Sequence, residues 1–207
     1  MSHEPGSQDR RTILLASASA TAGIALGLAS LGPTKAENVP EKKVEPAVGQ
    51  PGDFSFLEGE WRIQHRRLKA GTTDTWDEFD GEATCWTILN GVGSIEELRI
   101  PSRDFSGMGL RLLDVAKNVW SDFWVNGKSG VLTTPGMTGA FRDGAGVFES
   151  DDIHDGKPIK VRGIWDQITA TSCRWHQTTS EDGGQSWKPN WYMDWKRVWQ
   201  SMFNGRL

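Results

Sequence analysis

Few side chains past the first fifty residues have the chemistry to act on another molecule, and His65 leads them. It alternates with Trp61 and Ile63, so the three share one face of a strand, while Arg62, Gln64 and Arg66 take the other. A histidine on an apolar, inward face can ligate a cofactor, serve as a base, or sit as a hydrogen-bonded structural group. His176 shares a face with Arg174, opposite Trp175, and is expected to point outward. His154 lies in an acidic turn with Asp151, Asp152 and Asp155, which reads as a cation site or as a solvated loop. Glu97 and Arg99 alternate with Ile95. In one register they form an enclosed ion pair; in the other, Leu98 and Ile100 go inside and the pair meets water, since a one-residue slip exchanges the faces. If both point inward, His65 and Glu97 are the candidate acid and base for proton transfer.

Other chemistries lack their signatures. There is no nucleophile elbow, HExxH pair or phosphate loop. Cys85 and Cys173 are the two cysteines, and no CxxC or Cys/His spacing accompanies them. Both fall in strand-like runs beside Trp86 and Trp175; they are a possible disulfide or two buried thiols.

The chain carries 11 tryptophans, all after residue 60, and one tyrosine, Tyr192. Side chains that large must be packed or must line a cavity. Trp124, Trp165, Trp175, Trp191 and Met193 are the expected walls of such a cavity, with His65 and Arg99 orienting what enters it.

The elements that would position these residues are short strands. Asn90-Gly91, Asp143-Gly144 and Asp155-Gly156 punctuate alternating runs, and no run reads as a helix longer than one turn. The last hairpin has two aromatic-rich arms around Ser180, Asp182, Gly183 and Gly184. Gly127 to Gly136 reads as a turn-rich rim. Eight to ten strands at even spacing predict an all-β, antiparallel meander barrel whose first and last strands meet.

The ends read differently. Arg10-Arg11 precedes an Ala-, Gly- and Ser-rich apolar run, and Thr34-Lys35-Ala36 offers a small-x-small cleavage site. This resembles a twin-arginine export signal over residues 1–36, which places the mature protein in the periplasm or outside the cell, free of the membrane after cleavage. Residues 37–52 read as a polar linker, 53–199 as the barrel and 200–207 as a tail. A net charge of −4 with no basic stripe argues against nucleic acid as a partner.

Three stretches resemble known families. Ser180-x-Asp182-x-Gly184-x-Ser186-Trp187 looks like the Asp-box of sialidases, which implies a structural brace built on Asp182 and Trp187. Phe56-Leu57-x-Gly59-x-Trp61 resembles the opening of calycin barrels, the lipocalins and nitrobindins among them. That likeness implies an arginine of the last strand, here Arg197, packed over Trp61, and in the nitrobindin case a haem held by one histidine. The run from Arg174-Trp175-His176-Gln177 through Asp182-Gly183-Gly184-Gln185-Ser186-Trp187 to Asn190-Trp191-x-Met193 looks like the DUF1579 family of exported bacterial proteins. It covers most of residues 54–197 and implies a fold, not a reaction.

The expected function is binding of a small apolar or aromatic molecule in an aromatic-lined cavity. The alternative is a lyase, isomerase or hydrolase using His65 and Glu97. A third reading is a barrel packed solid with indoles that binds a partner on its outer surface.

Overall fold

The computed structural model describes residues 47–198. The export signal, most of the linker and the tail assigned from sequence lie outside them. Ten antiparallel strands follow one another around a closed barrel. They are β1 (Gly59–Leu68), β2 (Trp76–Ile88), β3 (Gly93–Ile100), β4 (Phe105–Asp114), β5 (Val119–Asn126), β6 (Leu132–Arg142), β7 (Ala145–His154), β8 (Lys157–Asp166), β9 (Ser172–Ser180) and β10 (Lys188–Arg197). Each pairs with its neighbour in sequence, and β1 pairs with β10, with Trp61 opposite Arg197 and Arg67 opposite Trp191. The seam leaves no free edge, so every strand has a partner on both sides.

Turn chemistry closes the hairpins. Leu89, Asn90 and Gly91 all take positive φ between β2 and β3, the left-handed backbone that Asn and Gly adopt most readily. Between β9 and β10, the Asp182 carboxylate accepts the backbone N–H groups of Gln185 and Ser186, each at 2.9 Å, and the Ser186 hydroxyl at 2.6 Å. Those bonds hold its pKa well below the usual carboxylate range. The Trp187 indole N–H donates to the Gly184 carbonyl at 3.0 Å, and the Arg162 guanidinium lies 3.8 Å from the centre of the Trp187 ring.

One end of the barrel is stoppered by a single 3₁₀ turn, Ser55–Leu57. Phe54 and Leu57 are buried there. Phe54 meets Trp120, Phe141 and Phe148, and Phe56 meets Trp165. The Trp61 indole N–H donates to the Leu57 carbonyl at 2.6 Å. Arg197 holds the stopper from the last strand: its guanidinium donates to the carbonyls of Phe56, Glu58 and Ala170 and lies 4.3 Å from the Trp61 ring centre.

Two expectations are corrected. The rim read over Gly127 to Gly136 is shorter, because β6 begins at Leu132. Its Gly, Thr and Pro content masks a strand whose register shifts opposite Asp122 and Trp124, the kind of bulge where proline is tolerated. The linker's last residues are not free of the barrel: Gly49 N–H donates to the Asn118 carbonyl at 2.7 Å, and Gly52 N–H to the Gly91 carbonyl at 2.9 Å.

Candidate functional site

The barrel interior is stacked in three levels. Beneath the stopper, Trp61, Trp120, Trp165 and Trp195 are at most 1% exposed and pack edge to face or tilted on their neighbours.

The middle level is charged. Arg111 of β4 is wholly buried, with its guanidinium about 5 Å from the Phe54 and Trp165 rings. It donates a short hydrogen bond to the buried Glu96 of β3, and its Nε lies 3.7 Å from the buried Asp122 of β5. Burial disfavours the guanidinium's charge, yet the two carboxylates more than offset this and raise its pKa. Glycines make the room: a Cβ at Gly109 would stand 3.1 Å from Arg111 Nη2. One at Gly107 would strike the Trp124 ring.

The far level is split. On the β1, β2 and β10 side it is full. His65, wholly buried, stacks on Phe79 with ring centres 4.6 Å apart and accepts the Trp191 indole N–H on Nδ1 at 3.2 Å. Trp191 in turn meets Trp175 edge to face at 5.7 Å. His65 Nε2 faces Gly81, where a Cβ would be 2.5 Å away. Burial, with Arg103 and Arg67 adding to it, lowers the His65 pKa to about 3, so the ring is neutral near pH 7.

On the β5 to β9 side the far level is open. A cavity of about 50 Å³ lies there. Trp124, Met137, Ile159 and Val161 form its apolar wall, and Asp122, Ser150, Asp152, Gln177 and Thr179 its polar one. Gln177 is buried; its amide N–H donates to Asn190 Oδ1 at 3.3 Å, and its Oε1 has no hydrogen-bond partner.

The placement of the sequence candidates follows. Trp124 lines the cavity, whereas Trp165, Trp175, Trp191, Met193 and His65 do not. Those five are core residues, at most 6% exposed, that fill the space they were expected to enclose. Arg99 and Glu97 lie on the outer face. Arg99 bonds Glu97 at 3.0 Å, Glu82 at 3.1 Å and Thr84 at 2.9 Å, while Glu96, Leu98 and Ile100 point inward. The physical reason is packing: Leu98, opposite Ala83, and Ile100 fill the core from the inward face of β3, and Glu96, opposite Cys85, meets Arg111 there. His65 and Glu97 are therefore on opposite sides of the wall and cannot act together as acid and base. Haem does not fit at His65 either, because Nδ1 is engaged, Nε2 abuts the Gly81 backbone and Phe79 covers the ring.

His176 faces outward, 3.7 Å from Asp166 and stacked on Tyr192. His154 lies 3.6 Å from Asp155. Among the described residues, no group of three or more His, Cys, Asp or Glu is arranged to hold a metal ion. Cys85 and Cys173 are buried free thiols.

The Glu96, Arg111 and Asp122 cluster was not anticipated. Its signal was in the sequence: Asp122 sits between Trp120 and Trp124 on one strand face, and a carboxylate flanked by two buried indoles needs a buried cation.

No protein-family model matches the chain, DUF1579 included, and no curated protein matches it. The chain is similar in structure to a Nostoc punctiforme protein of unknown function from the DUF3598 family, at 13% identity and a TM-score of 0.41. That alignment covers 74% of this chain and 50% of the Nostoc protein, so the chain spans about half the length of that neighbour.

Proposed function

We propose that this chain is an exported, calycin-like barrel of the DUF1579 kind that binds a small molecule with an apolar or aromatic body in the cavity between β5 and β9. One observation supports the reading above the rest. The far level of the barrel is packed solid on one side, yet on the other it keeps a space where Trp124, Met137, Ile159 and Val161 face a polar wall ending in the unpartnered Gln177 Oε1. A few convergent polar groups in an apolar concavity are what a ligand site needs.

The test is a titration of small aromatic and alicyclic compounds followed by tryptophan fluorescence and calorimetry. Saturable binding to wild type should fall at least about ten-fold in Val161→Phe, whose ring occupies the cavity. Equal binding by the variant would remove the cavity from the reading. Export is tested separately: Arg10→Lys together with Arg11→Lys should leave the protein in the cytoplasmic fraction, and export unchanged by both would refute the twin-arginine route.

A further inference from the structure

The outer wall of the barrel is apolar on one side. Trp86 of β2, Ile95 of β3, Leu110 of β4 and Phe123 of β5 stand opposite one another in register and form a row across the outside of four strands. Trp86 is 46% exposed and the other three are half-buried. One flanking row adds Ile88 and Leu112, which close over Gly93; the other adds Met108, Val125 and Leu132. On the opposite side the outside is polar: β1, β9 and β10 present Arg62, Arg66, Arg174, Asp194 and Lys196. On β4 the contrast is sharpest, because Met108, Leu110 and Leu112 face out while Arg111 lies inside. An antiparallel sheet with one wet face keeps its polar residues on that face. The outside of β2 to β5 is the reverse, a surface suited to being covered.

We infer that a second copy of this chain covers it, face to face. Three observations select that occupant. The row reads aromatic, aliphatic, aliphatic, aromatic. A two-fold axis lying along the strands between β3 and β4 therefore sets Trp86 of each copy against Phe123 of the other, and Ile95 against Leu110, the reciprocal pairing of an isologous interface. The size matches as well. Five strands at a spacing of about 4.8 Å and three rows about 6.8 Å apart span about 24 by 20 Å, on the order of 500 Å². A standard interface of about 800 Å² per subunit, about 65% apolar, needs about 520 Å² of apolar surface. The rim is the third observation. Its charges pair within the chain, Arg99 with Glu82 and Glu97, and Lys117 with Asp114. A lipid surface selects a fringe of lysine and arginine instead.

The experiment is sedimentation equilibrium of the full chain from about 1 to 100 µM. Wild type should reach twice the chain mass of 22.9 kDa. Leu110→Lys and Ile95→Glu, both at outward positions, should each weaken dimerisation at least about 100-fold, because the charge is buried without a partner. Circular dichroism checks that each folds. Trp86→Gln, at the most exposed position of the row, is the milder variant and should weaken dimerisation several-fold. Mixed one to one, the two charged variants should dimerise again. The new lysine of one copy then faces the new glutamate of the other, and the second Ile95–Leu110 contact stays native. Wild type monomeric throughout the range, or a dimer indifferent to all three variants, would overturn the inference. A mixture that stays monomeric would overturn the pairing of Ile95 with Leu110. A monomer that floats with phosphatidylglycerol vesicles would assign the face to lipid in place of a second copy, and one whose residues 12–31 resist hydrogen exchange would assign it to that apolar run.

Discussion

At the scale of single residues, function and stability rest on polar groups held where water does not reach. His65 is the clearest case. Its ring lies between Phe79 and Trp191, and its folded pKa is about 3 against an ordinary 6.5. The unfolded chain takes up a proton below pH 6.5 that the folded chain refuses until about pH 3. Stability from this group is therefore present above pH 6.5 and is lost as pH falls through that window, with a limiting slope of about 1.4 kcal/mol per pH unit. His65→Asn keeps an acceptor for the Trp191 indole and removes the titration. The difference in unfolding free energy between wild type and variant, from urea melts at pH 7, 6, 5 and 4, should shrink as pH falls. A constant difference would mean that His65 is not a buried neutral ring. Arg111 is the second case. Arg111→Met strands the Glu96 charge in the core and should cost about 3–5 kcal/mol. Arg111→Met combined with Glu96→Gln should recover part of that loss, because the stranded charge is gone; a purely additive double variant would deny the coupling of the pair.

Elements carry the barrel's closure, and here the stopper depends on one side chain of the last strand. Arg197 bonds three carbonyls from two separate segments while covering Trp61. Lysine keeps the charge but lacks the planar fork that reaches several acceptors at once. Arg197→Lys should lower stability by about 1–3 kcal/mol, read from denaturant melts, and should loosen the Ser55–Leu57 turn first in hydrogen exchange. Melting equal to wild type would make the contact decorative. Strands and their order were legible from sequence, since most alternate and most have an Asn-Gly or Asp-Gly turn at one end at least. Two things were not. After Leu132, β6 opens with Thr133, Thr134, Pro135 and Gly136, residues that usually signal a loop, and pairing of Leu132 and Thr133 with Val125 and Trp124 makes this stretch a strand. On β4, Met108, Leu110 and Leu112 form the apolar set, yet they face outward while Gly107, Gly109 and Arg111 face inward. Outside, Leu110 lies in a row with Trp86, Ile95 and Phe123 across four strands. Inside, glycines make way for the Trp124 ring and the Arg111 guanidinium. Apolar alternation finds a strand; which face is interior depends on neighbours that single-strand patterns do not contain. The cavity was hidden for the same reason, because Asp122, Gln177 and Thr179 become its wall only after all ten strands close.

For the whole molecule, closure means that the interior opens all at once or not at all. Every strand is bonded on both sides, so no edge is available to peel away and expose one wall alone. Cys85 on β2 and Cys173 on β9 report on this from different parts of the ring, each at most 3% exposed. Burial, followed by the nearby Glu96, raises both thiols, Cys173 to about 12 and Cys85 further. A thiol in that state does not react, since the thiolate is the nucleophile. Alkylation must then wait for global unfolding. Labelling by iodoacetamide under native conditions, followed by mass spectrometry across low urea concentrations, should show both cysteines modified at one rate, with one urea dependence equal to that of global unfolding. If one cysteine labels early with little urea dependence, the wall beside it opens locally and the ring is not a single cooperative unit. The same cooperativity bears on the cavity. A ligand seated against β5, β6, β7, β8 and β9 touches half of a ring that unfolds as one. Saturating it should therefore slow labelling of Cys85 on β2 as much as that of Cys173 on β9, although the cavity lies on the far side from β2.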